Sequence, residues 1–140
     1  MSKSFFTVVS LALGAAIWTA QQEPVRAHHA FSAEYDAQQP ITLKGTIVKM
    51  EWVNPHVWLH IDVKDPSGKV VQWALEFGSP NTLYKRGWRK GDLPVGAEVT
   101  IDGFKAKDGS PMANARTAML AGGKKLFGGS PEGPGASAEK

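Results

Sequence analysis

Residues 56–64 alternate without a break. Val57, Leu59, Ile61 and Val63 fall on one face, and His56, Trp58, His60 and Asp62 on the other. A two-residue period marks a strand with one buried face. Asp65-Pro66-Ser67-Gly68 is a turn sequence, and residues 69–77 return with Val71, Trp73, Leu75 and Phe77 on one face, so the two segments predict a hairpin. Upstream, residues 41–52 predict a long strand whose apolar positions change phase: Ile41, Leu43 and Ile47, then Val48, Met50 and Trp52. A phase change inside a strand calls for a bulge or sharp bend, and Gly45 lies beside it. Asn54-Pro55 breaks the chain before the hairpin.

Beyond the hairpin, Ser79 suits a helix cap and Pro80 its first turn. Lys85 and Arg86 suit the last turn, and Gly87 the stop. Residues 88–96 read as a loop and 97–105 as a fourth strand. Asp108-Gly109-Ser110-Pro111 turns the chain. Residues 112–120 are alanine-rich, yet their place between a turn and Gly122-Gly123 argues for a fifth strand. A long bent strand, a hairpin, a short helix and two more strands is the order of an OB-type barrel. The predicted fold is therefore all-β: a small five-stranded OB-like barrel with one short helix between strands three and four. A β-sandwich with a helical crossover is the alternative.

Both ends differ in character. Lys3, the uncharged apolar run of residues 5–18 and the site Val25-Arg26-Ala27 read as a secretory signal over 1–27, cut after Ala27. The run is short for a membrane span; an uncleaved amino-terminal anchor is the alternative. The expected organisation is an extended arm over 28–40, the barrel domain over 41–127 and a disordered tail over 128–140, in a periplasmic or secreted protein with no integral membrane segment after cleavage.

Charge and cysteine content narrow the functions. The chain has 16 basic and 13 acidic residues, and the cut removes Lys3, Arg26 and Glu23, leaving a net charge of +2. That field is too weak to imply nucleic acid. With no cysteine, a metal site must use histidine, carboxylate or backbone groups.

The four histidines sit in two places, His28 and His29 at the expected mature start and His56 and His60 on one strand face. A free α-amine beside the His28 imidazole is a chelating pair suited to copper(II). His56 and His60 are about 13 Å apart along an extended strand, so one of them, not both, could join His28 and His29. The competing reading is a flexible end, a loop residue and a solvated strand residue.

Trp58 shares the polar face with His60, and Gln72 and Glu76 can lie opposite. These four are the candidate ligand-binding residues, since strands two and three of OB-type barrels commonly bind ligands. Trp58 would be a stacking platform for a sugar, heterocycle or peptide, or would pack under the arm against Phe31 or Tyr35. Trp52, Trp73 and Trp88 read as core or core-edge. The basic cluster Lys85, Arg86, Arg89 and Lys90 complements a helix dipole, with an anionic ligand or lipid surface as the alternative. The carboxylates Glu34, Asp36, Glu51, Asp62 and Glu76 form no recognisable acid–base pair, and Gly78-Ser79-Pro80 lacks the features of a nucleophile elbow.

Several motifs together are familiar. His28-His29-Ala30-Phe31 with Glu34-Tyr35-Asp36 and Leu43-Lys44-Gly45-Thr46 resemble the opening of a family of small exported bacterial proteins, domain of unknown function 6152. Trp52-Val53-Asn54-Pro55-His56, Glu76-Phe77-Gly78-Ser79-Pro80-Asn81 and Arg86-Gly87-Trp88 resemble its middle, and Ala106-Lys107-Asp108-Gly109-Ser110 with Ala113-Asn114-Ala115-Arg116 its end. The resemblance spans nearly all of residues 28–127. It implies an exported OB-like domain and supplies no activity. The expected role is a non-catalytic binding module for an unknown protein or small-molecule ligand. A copper-binding protein is the alternative, and an enzyme would need a polar pocket that the sequence does not announce.

Overall fold

A computed structural model describes residues 31–129. The expected signal, His28, His29 and most of the expected tail lie outside the described residues. Residues 31–34 are helical. Six strands and a short helix follow: β1 (Tyr35–Glu51), β2 (Trp58–Lys64), β3 (Val70–Glu76), α1 (Pro80–Lys85), β4 (Glu98–Ala106), β5 (Met112–Leu120) and β6 (Lys125–Phe127).

The strands form one sheet in the order β3-β2-β1-β4-β5-β6, with every neighbouring pair antiparallel. A parallel pairing of β3 with the start of β5 joins the ends, so hydrogen bonds run in a ring through five strands. β1 makes this possible by serving two partners. Residues 35–46 pair with β4 and residues 46–51 with β2. The register slips between Ile47 and Lys49, where the apolar phase changes in the sequence. Gly45 lets the strands close there: a Cβ at this position would stand 2.5 Å from the Asp62 carbonyl oxygen.

Inward residues of every strand of the ring make the core. Leu43, Ile47, Leu59, Ile61, Leu75, Val99 and Ile101 are buried, with Phe77, Leu83, Trp88 and Leu93 closing one side. β5 contributes Ala113, Ala115 and Ala118, all with no exposed surface. Their small size answers the ambiguity of that segment, since alanine here fits a crowded interior and tertiary pairing overrides helix propensity. Trp52 and Trp73 pack on the edge of this core as expected.

Helix α1 matches its punctuation. Ser79 caps it, its hydroxyl accepting from the Thr82 amide at 3.3 Å, and Gly87 follows at φ 90°. Two expectations are corrected. The expected arm is not separate from the sheet: residues 31–34 are helical rather than extended, and 35–40 are extended as part of β1, because Tyr35 and Pro40 find β4 partners in Ala106 and Phe104. The sequence also concealed β6, three residues that pair with Thr117–Met119 of β5 just past the point where β3 leaves that edge.

Candidate functional site

The ring sets polar side chains in rows across its outer face. Residues directly opposite in a ladder point to the same side. One row runs Glu51, Trp58, Glu76, Asn114 across β1, β2, β3 and β5; the next runs Lys49, His60, Ala74, Met112. Trp58 thus stands between two carboxylates. The ladder extends one step past β2, because the Phe77 amide donates to the Val57 carbonyl at 2.8 Å. His56 is thereby held beside Glu76.

Each carboxylate is claimed by an imidazole. Glu76 is 7% exposed. One of its oxygens meets His56 Nδ1, and the other accepts the hydroxyl of Tyr35. Glu51 meets His60 Nε2 at 2.8 Å and Lys49 Nζ at 2.5 Å. The lysine first, then His60, holds the Glu51 carboxyl below the usual carboxylate range. Burial, with the Glu76 carboxylate beside it, pushes the Tyr35 phenol far above the usual tyrosine range.

Tyr35 reaches this point from a second, smaller cluster. Phe31, Tyr35, Phe104 and Ala106 are buried together, with Met112 packed on them. The Phe31 ring stands 5.8 Å from Phe104 in an edge-on contact. This cluster covers the β4–β5 end of the outer face, so Phe31 and Tyr35 pack there and Trp58 is not among the cluster's residues.

The residues predicted from sequence are partly brought together. Trp58, His60, Glu76 and His56 share one patch. Gln72 does not join it: it pairs with Asp62, donating from Nε2 at 3.4 Å, four residues along β3 from Glu76. His56 and His60 each face a different carboxylate and do not converge. Among the described residues no group of three or more His, Cys, Asp or Glu side chains is placed to hold a metal ion; His28 and His29 lie outside them.

Sequence reasoning missed Tyr35, Lys49 and Glu51 as members of this patch, and with them both carboxylate–imidazole pairs. The signal for Lys49 and Glu51 was the phase change in β1, which turns 49 and 51 to the outer face. Nothing local announces Tyr35, 41 residues from its partner.

Two of the four basic candidates make contacts that serve the fold. Arg86 Nη1 donates to the Gly129 carbonyl at 2.8 Å; Arg89 donates to the Trp88 carbonyl at 2.7 Å and lies 4.1 Å over the Tyr84 ring. Lys85 and Lys90 are exposed. An open groove of about 580 Å³, lined by Lys44, Gly45, Thr46, Asp62, Lys64, Val70 and Glu98, lies at the far end of the hairpin from Trp58 and mixes both charge signs. No described helix is long and apolar enough to cross a membrane.

Over residues 17–115 the chain matches the model of a family of unknown function (DUF6152), and it belongs to that family. No curated protein and no solved structure matches it.

Proposed function

We propose that this family member is an exported, non-catalytic binding module that uses the β2–β3 face of an OB-like barrel. The closed five-stranded ring, with a bent first strand shared between β2 and β4, supports reading the fold as that barrel rather than a two-sheet sandwich. The carrying observation is Trp58 standing in register between Glu51 and Glu76, each carboxylate fixed by an imidazole. An aromatic platform framed by oriented polar groups is how small binding sites combine affinity with orientation. The ligand is a small molecule or a ring-bearing side chain of a partner protein.

The test is a heteronuclear NMR screen of the ¹⁵N-labelled chain 28–140 against aromatic, saccharide and amine fragments. Perturbations should gather on the Trp58 indole, His56 and His60, and Trp58→Ala should lose them. Shifts confined to the groove around Lys44 and Lys64 would sink the reading.

The second reading is copper binding by His28, its α-amine and His29 with His56 or His60. One observation favours it: metal-binding histidines usually give their second ring nitrogen to a carboxylate, and both imidazoles here do so. Copper(II) titration of the chain beginning at His28 should then give tighter binding than the chain carrying one extra residue before it. Equal affinity removes the amino-terminal version.

A further inference from the structure

The hydrogen-bond directions leave the face around Trp58 richer in acceptors than in donors. An ionised carboxylate has no proton to give, so an imidazole nitrogen that meets one carries the hydrogen. In the neutral rings this sets the proton on His56 Nδ1, facing Glu76, and on His60 Nε2, facing Glu51. His56 Nε2 and His60 Nδ1 are then bare lone pairs. Trp58 adds a ring whose face is electron-rich. Two neighbouring donors are spent, and the Trp58 indole N–H is the donor that stays on this face. Lys49 is turned onto Glu51 at 2.5 Å, and Tyr35 donates into Glu76.

Building on the binding-module reading, we propose that this face takes an organic cation bearing N–H donors, an alkylammonium or guanidinium group, and that Tyr35 is a positioning residue for it. The cation rests on the Trp58 ring, where cation–π attraction is strengthened by the carboxylates on either side. Its N–H groups meet the imidazole lone pairs. An anion would meet the Glu76 carboxylate, a Glu51 carboxylate only partly offset by Lys49, and two lone pairs, and is disfavoured; a neutral ring gains the contacts without the charge. Tyr35 acts at one remove. It is 2% exposed and locked in the Phe31–Phe104 cluster. Its hydroxyl occupies one oxygen of Glu76, so the other is held toward His56 Nδ1 and the His56 tautomer is set.

Three probes separate the possibilities by charge: butylguanidinium, its neutral isostere butylurea, and the anion butyrate. Butylguanidinium should shift the Trp58 indole and His56 resonances of the folded chain, butylurea should bind at least tenfold more weakly, and butyrate should leave both resonances in place. Tyr35→Phe should keep the dispersed spectrum of the folded chain, give His56 the ¹⁵N shifts of mixed tautomers, and weaken butylguanidinium at least threefold. Tyr84→Phe should change none of these. Glu51→Gln, at a more exposed position, should cost butylguanidinium at least threefold and leave butylurea as it was, which keeps a test in hand if Tyr35→Phe unfolds. Equal binding of butylguanidinium and butylurea at Trp58, or an unchanged His56 tautomer in a folded Tyr35→Phe chain, overturns this inference while the binding-module reading stands. A failure of every fragment and probe to move the Trp58 resonance overturns both.

Discussion

A buried phenol against a buried carboxylate is a group whose ionisation the fold opposes. Burial and Glu76 both disfavour the Tyr35 phenolate, so its folded pKa lies above the unfolded value near 10. The stability that follows from the protonated phenol is whole below about pH 10 and is lost as pH rises beyond it, because the unfolded chain releases the proton first. Urea melts at pH 8 and pH 10.5 should show a drop in stability for the native chain and a smaller drop for Tyr35→Phe. The Tyr84→Phe chain, left with Tyr35 as its sole tyrosine, should develop phenolate absorbance near 295 nm only as it unfolds. At this scale the sequence was half legible. Alternation alone put His56, Trp58 and His60 on one face, which is local information. Their carboxylate partners depend on which strand lies alongside and in what register, and no spacing along the chain encodes that. Tyr35 needed still more, since its bond to Glu76 joins the start of β1 to the end of β3.

β1 shows how a whole element can be read from a change of phase. Seventeen residues are far longer than a single ladder requires, and the apolar residues switch sides where the register slips between Ile47 and Lys49. The switch re-aims Lys49 and Glu51 outward, so the bulge that closes the ring also supplies one wall of the Trp58 patch. Gly45 is the hinge of this arrangement by lack of volume rather than by backbone freedom. Gly45→Ala should push β1 from β2 and destabilise by about 1–3 kcal/mol, and hydrogen exchange should quicken first at Asp62 and Val63. Gly91→Ala is the control, for an added methyl there meets nothing within 4 Å; urea melts should place it within about 0.5 kcal/mol of the native chain or slightly above. The helix and the hairpin were legible for a similar reason, since caps and turns are written in adjacent residues. The helical residues 31–34 and β6 were not. Both are short and owe their form to the sheet they lie against.

Across the whole molecule, β6 and the residues after it tie the helical side of the ring to the strand side. Leu126 is buried in the main core, and the Trp88 indole nitrogen donates to the Phe127 carbonyl at 3.0 Å. The Gly78 amide donates to the Gly128 carbonyl at 2.8 Å, and the Gly128 amide to the Arg116 carbonyl at 2.8 Å. Gly128 itself lies so close that a Cβ would stand 2.5 Å from the Phe77 ring and 2.7 Å from that of Trp88. Those two rings meet at 5.1 Å, directly behind Phe77-Gly78, the segment that continues β3 from Glu76. The strap therefore supports the strand end that carries Glu76. A chain ending at Lys124, compared with one ending at Gly129, loses the Leu126 burial and leaves the buried Trp88 N–H without an acceptor. Urea unfolding should show a loss of more than about 3 kcal/mol, with tryptophan emission moving to the red. Leu126→Ala is the milder test, expected to cost about 2–3 kcal/mol and to loosen Phe77 and Gly78 in hydrogen exchange before Ile47 or Ile61. If exchange instead rises evenly around the ring, the strap is merely one more strand. If it rises at 76–78 first, the carboxylate beneath His56 is held in place by residues fifty positions downstream.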